Sequence, residues 1–212
     1  MKKLLLSLTV IALVSPDIKA QTIELFNGKD LSNWNFVLAD DKVAPQDVFS
    51  VRDGVILIQG EPFGYMYTKE TYSDYVLEVE WSWPEKATNS GIFLLIAEAK
   101  NPFPNGIECQ LKAGNAGDLV LLGGADLAEY KQPAGERPAF PVISKQKASS
   151  EKPLGQWNKA KIEVKNGIIV VYINGQLQNK GANKIKKGYI GLQSEGGPIR
   201  FRNVRLTNIL ER

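Results

Sequence analysis

The chain has 212 residues, enough for one domain with a sizeable core, and its 26 Lys+Arg against 23 Asp+Glu nearly cancel. That balance excludes the basic stripe a phosphate backbone demands, so nucleic acid is not an expected partner. With no histidine and one cysteine, the chain also lacks Ser-His-Asp or Cys-His nucleophile systems, the usual zinc sites and any intrachain disulfide.

Lys2 and Lys3 precede an apolar stretch, Leu4 to Val14, which Ser15-Pro16-Asp17 breaks. This is the pattern of an export signal, and Ala20 is a suitable small residue for the cut, with Gln21 as the new N-terminus. The stretch is too short for a stable bilayer-spanning helix, and no later segment is long enough. We therefore expect residues 1–20 to be a signal peptide and residues 21–212 one domain. The expected location is periplasmic or secreted, with no stable membrane insertion once the signal is removed.

Beyond the signal, short strand patterns alternate with turn signals. Asp53-Gly54 leads into Val55–Ile58. From Tyr75 to Trp83 the chain alternates: Tyr75, Leu77, Val79, Trp81 and Trp83 share one face, Glu78 and Glu80 the other. Gly91 to Ala97 reads as a central strand. Residues 107–112 alternate again, with Glu108 and Gln110 facing away from Ile107, Cys109 and Leu111. Residues 113–156, with several Gly and Pro, read as long loops around a strand at Leu119–Leu122. Then come Lys159–Lys165 and Ile168–Ile173, joined by Asn166-Gly167, a type I′ hairpin signal, and a second hairpin at Asn174-Gly175. Gly188–Ser194 and Ile199–Leu206 complete the set. No segment holds a helical period. The pattern predicts an all-β, antiparallel β-sandwich of the jelly-roll kind, with Leu77, Val79, Trp81, Ile162, Val164 and Phe201 in its core.

Several runs then carry a family resemblance. Leu25 to Trp34 resembles an "FNGKDLSGW" signature, Asn89–Phe93 an "NSGIF" strand and Ile107–Leu111 a "YEVQI" strand. Gly155–Asn158, Gly191–Gly197 and Phe201–Val204 are similar to "GEWN", "GLQSEGG" and "FRNI". In this order they resemble the 3-keto-disaccharide hydrolase domain family, over residue 23 to the C-terminus. Two positions depart from it. Leu94-Leu95 stand where many members have Arg, and Lys112-Ala113-Gly114 where many have Asp.

The resemblance implies a concanavalin A-like lectin/glucanase fold and cleavage of sugars already oxidised at C3. The ketone acidifies the C2 proton, a base removes it, the C1 substituent leaves and water adds. Such chemistry needs one base and a group that stabilises the enolate oxygen. It does not need the two carboxylates, about 5–9 Å apart, of ordinary glycosidases. A glucanase of this fold resembles an E-x-D-x-x-E strand, and Glu108-Cys109-Gln110 lacks that spacing.

Glu108 is the first candidate base, since burial in a sugar cleft would raise its pKa toward neutrality. Glu80 is a second catalytic candidate if its face meets that of Glu108. Gln110, Asn89, Tyr65, Gln193, Glu195 and Arg202 are candidate substrate contacts. Tyr65 is taken as an exposed stacking ring, and Arg202 as a group that polarises a ketone or holds Glu195. Each also has a structural reading: strand alternation for the acids, a turn for Asn89, packing for Tyr65 and an ion pair for Arg202. Glu108, Gln110, Glu80 and Glu195 are expected on one concave surface, roofed by loops from residues 113–156. No cofactor or metal is expected, although structural calcium is compatible with lectin-like sandwiches, and no loop has a calcium signature. The alternative function is a carbohydrate-binding module without catalysis. In either case the partner is a carbohydrate.

Overall fold

The structure, a computed structural model, describes residues 21–209. The expected signal peptide lies outside the described residues. The strands are β1 (Thr22–Glu24), β2 (Trp34–Leu38), β3 (Phe49–Arg52), β4 (Val55–Ile58), β5 (Gly64–Thr68), β6 (Tyr75–Ser82), β7 (Gly91–Ile96), β8 (Gly106–Gln110), β9 (Leu119–Leu122), β10 (Val142–Ile143), β11 (Asn158–Lys165), β12 (Ile168–Ile173), β13 (Gln176–Ala182), β14 (Tyr189–Ser194) and β15 (Ile199–Asn208). A single helical turn, α1 (Pro45–Val48), precedes β3.

Two antiparallel sheets form the sandwich. The front sheet runs β10-β9-β8-β7-β14-β5-β2, and the back sheet β13-β12-β11-β6-β15-β4-β3, with β1 on β15. Asn166-Gly167 and Asn174-Gly175 both hold positive φ, near 50° then near 80°, as a type I′ turn demands. They join β11 to β12 and β12 to β13, which pair antiparallel.

The core lies between the sheets. Leu77, Val79 and Trp81 of β6, Ile162 and Val164 of β11, and Phe201 of β15 are buried there, as the alternation predicts. The front sheet contributes Met66, Ile92, Leu94, Ile107, Cys109, Leu121, Ile190 and Leu192. The back sheet's other face is a ladder of charge. Arg205 and Lys159 pair with Glu78, and Arg202 with Glu80. This is the ordinary solvated face of an antiparallel sheet.

Ile162 is buried in mid-strand with β6 and β12 on either side. Truncation there leaves a cavity walled by two strands. Ile162→Ala should cost about 2–5 kcal/mol, measured by chemical denaturation, and a loss below about 1 kcal/mol would mean the strand is not where this packing puts it.

Candidate functional site

β8 sends Ile107 and Cys109 into the core and turns Glu108 and Gln110 to the front sheet's outer face. That face is not solvated like its counterpart. Tyr65 of β5, Phe93 and Ile96 of β7, and Val120 and Leu122 of β9 make a second apolar cluster there. Register sets the floor. Phe93 and Val120 flank Glu108 on the neighbouring strands, Gly91 opposes Gln110, and Gln193 opposes Tyr65. The Glu108 carboxyl occupies the space of a Cβ at Gly91, so a larger residue there would displace it.

The loop between β7 and β8 lies on this face. Ala99 packs against the cluster, and the Tyr65 hydroxyl donates to the Asn101 carbonyl at 3.2 Å. Phe103 stacks on Phe63 with ring centroids 4.3 Å apart and meets Phe140 at 4.7 Å. The cover therefore includes residues 97–105, which the sequence reading did not name. Of the expected 113–156 roof, Phe140 is the side chain that joins this aromatic group. Glu108 is left 3% exposed.

At the end of β14 the chain turns through Glu195-Gly196-Gly197. Gly196, at φ +76°, and Gly197 lie close against Asn89 and Thr88, an approach that larger residues would obstruct. The turn thus brings Glu195 beside Asn89 and Gln193. Gln193 Nε2 donates to Glu195 Oε2 at 2.8 Å. The Ser90 hydroxyl donates to the Gln193 backbone carbonyl at 2.8 Å and ties the start of β7 to β14.

The electrostatics follow from these contacts. Burial, and then the charge of Glu195, push the Glu108 carboxyl well above its ordinary value. Burial also holds Glu195 above its ordinary value, and hydrogen bonds from Asn89 and Gln193 and the charge of Lys112 offset that only in part. Four of the buried oxygens without a hydrogen-bond partner lie together here: Glu108 Oε1, Gln193 Oε1, Asn89 Oδ1 and Thr88 Oγ1. Gln193 and Asn89 both turn toward Glu195. Their carbonyl oxygens are left for donors from outside. Among the described residues no three His, Cys, Asp or Glu side chains are grouped to hold a metal ion.

The structure brings Glu108, Gln110, Asn89, Tyr65, Gln193 and Glu195 to one face. Three expectations are corrected. Glu80 lies on the outer face of the back sheet, where β15 sets Arg202 opposite it and Arg202 Nε donates to its carboxylate at 2.7 Å. Partial burial works against its charge, yet hydrogen bonds from Arg202 and Asn203 and the nearby positive charges outweigh it and hold the carboxyl below its usual range. Arg202 is thereby committed to Glu80, and it also lies 4.0 Å over the Trp157 ring. It neither holds Glu195 nor faces the site. Tyr65 is likewise not an exposed platform. It is 0% exposed, because Asn101 and Phe93 cover it, so it is part of the floor. Gln110 shares the face, but its carbonyl accepts the backbone N–H groups of Leu111 and Lys112. Thr88, Phe93 and Phe63 were missed. Phe63 has the parity of Tyr65, and that was the signal available for it.

The sequence profile of the 3-keto-alpha-glucoside-1,2-lyase-like domain matches residues 21–207. The chain belongs to this family. A 3-keto-disaccharide hydrolase of Bacteroides thetaiotaomicron is 25% identical over 87% of this chain and 77% of its own length. In fold, the chain is similar to a provisionally named glycosyl hydrolase of Parabacteroides distasonis, at TM-score 0.65 and 20% identity over 89% of this chain and 94% of that one. A Bacillus licheniformis β-glucanase matches at TM-score 0.57 and 13% identity over 90% and 98% of the two chains, a likeness of fold alone. Within the 3-keto-alpha-glucoside-1,2-lyase-like family pattern, the "NSGIF" and "GLQSEGG" runs of this chain are the segments that meet at Asn89 and Gln193–Gly197. Leu94 and Leu95, at the departing position, are buried in the core.

Two outcomes follow. The Glu80–Arg202 pair keeps 24% and 39% of its side-chain surfaces exposed, so Glu80→Gln should cost at most about 1 kcal/mol and leave turnover unchanged. A turnover loss of tenfold or more would return Glu80 to the site. The second concerns pH. The folded-state pKa of Glu108 lies above its unfolded value near 4.5. Its contribution is fully present below that value and is lost as pH rises toward the folded pKa. Glu108→Gln removes this dependence, so the melting temperature of the variant should gain on wild type as pH rises above about 4.5. A constant gap above that pH would mean Glu108 is not buried as described.

Proposed function

We propose that this protein cleaves 3-keto-glycosides, disaccharides among them, by removing the C2 proton, releasing the C1 substituent and hydrating the product. One observation carries the reading. A buried carboxyl without a cation, Glu108, stands among unpartnered carbonyl oxygens of Gln193 and Asn89. A 3-keto sugar offers the complementary pattern: a carbonyl acceptor at C3 between hydroxyl donors at C2 and C4. An unoxidised sugar presents a hydroxyl at C3 instead and has no acidic C2 proton.

The chemistry needs no third group. A carboxylate of the Glu108–Glu195 pair takes the C2 proton, and the C2–H electron pair moves into the C2–C3 bond while the ketone π pair moves to oxygen. As that charge returns, the C1–O bond breaks and a C1–C2 double bond forms. Water then adds oxygen at C1 and hydrogen at C2. The family membership and the relative's hydrolase name support this course. The Lys2–Ala20 pattern supports an export signal, which would place the reaction in the periplasm or outside the cell.

The test is to incubate the protein with a 3-keto-disaccharide and with its unoxidised parent. Release of the leaving sugar above the blank is expected from the ketone alone. Affinity for the unmodified glycan without turnover of either compound would overturn the reading in favour of a binding module.

A further inference from the structure

Resting on this reading of the site, we propose that Glu195 is the catalytic base and that Glu108 is the acid that donates to the ketone oxygen. This reverses the role the sequence suggested for Glu108. The two carboxyls differ in their partners. A base must be ionised before it acts. Glu195 receives the Gln193 amide at 2.8 Å, has Asn89 and Lys112 nearby, and is half-buried. Hydrogen bonds donated to a carboxylate favour its charged form. Glu108 has the opposite surroundings. Its Oε1 receives no donor, Phe93 and Val120 lie on either side, and Gly91 lies under its carboxyl. No salt-bridge partner reaches it among the described residues, and its nearest charge is the like charge of Glu195. Two neighbouring carboxyls with environments pushed apart divide acid from base between them.

The steps balance with these roles. Glu195 takes the C2 proton, and negative charge grows on the C3 oxygen, where the Glu108 O–H meets it. As the carbonyl reforms and the C1–O bond breaks, Glu195 returns its proton to the departing oxygen. It then takes a proton from the water that attacks C1 and delivers it to C2. Glu108 ends as it began. The donor aimed at the developing charge is preorganised by its apolar floor.

The experiment uses a 3-keto-glucoside in deuterated water, with C2 exchange followed by NMR and release of the C1 substituent followed in parallel. Glu195→Gln and Glu195→Ala should each lose about 100-fold or more in both. Added formate, a small carboxylate, should restore exchange to Glu195→Ala, which a merely structural role would not allow. Glu108→Gln keeps an N–H donor and should stay within about tenfold of wild type, whereas Glu108→Leu, with none, should fall about 100-fold. Lys112, Tyr65 and Cys109 are other titratable groups near the pair, so a loss of activity at high pH that disappears in Glu108→Gln belongs to Glu108. Wild-type exchange in Glu195→Gln, or a Glu108→Gln as slow as Glu108→Leu, would overturn the assignment. Wild type that neither exchanges nor releases would instead remove the functional reading, and the assignment with it. Circular dichroism of each variant separates lost chemistry from lost fold.

Discussion

A strand can give only alternate residues to one core, and in this sandwich that restriction governs both sheets. Once Ile107 and Cys109 enter the core, Glu108 must leave on the other side. Once Leu77, Val79 and Trp81 enter it, Glu78 and Glu80 must do the same. Identical logic thus produces outward carboxylates on both sheets. What happens to each is decided by the neighbouring strand. The back sheet sets Arg202 and Arg205 of β15 opposite Glu80 and Glu78, and charge meets charge in solvent. The front sheet sets Phe93 and Val120 beside Glu108, and the loop before β8 covers them.

The two arrangements differ in energy as well as in place. Exposed pairs such as Arg202–Glu80 contribute little, on the order of 1 kcal/mol or less. Each buried oxygen without a partner costs about 1–3 kcal/mol. The front face holds four of them within one group of residues, Thr88, Asn89, Glu108 and Gln193. Single unpartnered atoms occur elsewhere, at Tyr75, Asn105 and Gln178 among others, but the front face gathers four oxygens in one place beside a buried carboxyl. Local breaches of good packing concentrate where function requires them. A ligand rich in hydroxyl donors, with one carbonyl, would satisfy the whole set at once.

Much of the fold was legible. The clean alternation of β6 and β8 and the two Asn-Gly turns gave the strands around them correctly. β1, β3, β5 and β10 were not named as strands, and β13 was implied only by the hairpin at Asn174-Gly175. β5 is apolar on both faces, Met66 toward the core and Tyr65 and Tyr67 outward, so its alternation is hidden. β13, Gln-Leu-Gln-Asn-Lys-Gly-Ala, is a polar edge strand with little β propensity. The site was half legible for a related reason. Period two places Glu108 and Glu80 outward but says nothing of their neighbours. Those come from strand order, which pairs residues as far apart as Glu80 and Arg202. The same order joins Asn89 to Glu195, two segments that the sequence offered only as separate motifs.

The central claim is that Glu108 is held neutral beside an ionised Glu195 in the free protein. Residue-resolved carbon NMR of the glutamate carboxyl groups, titrated across neutral pH with Glu108→Gln and Glu195→Gln for assignment, measures it directly. The account predicts that Glu195 ionises first and that Glu108 still holds its proton at pH 7. A Glu108 carboxyl already ionised at pH 7, or one that ionises before Glu195, would contradict it.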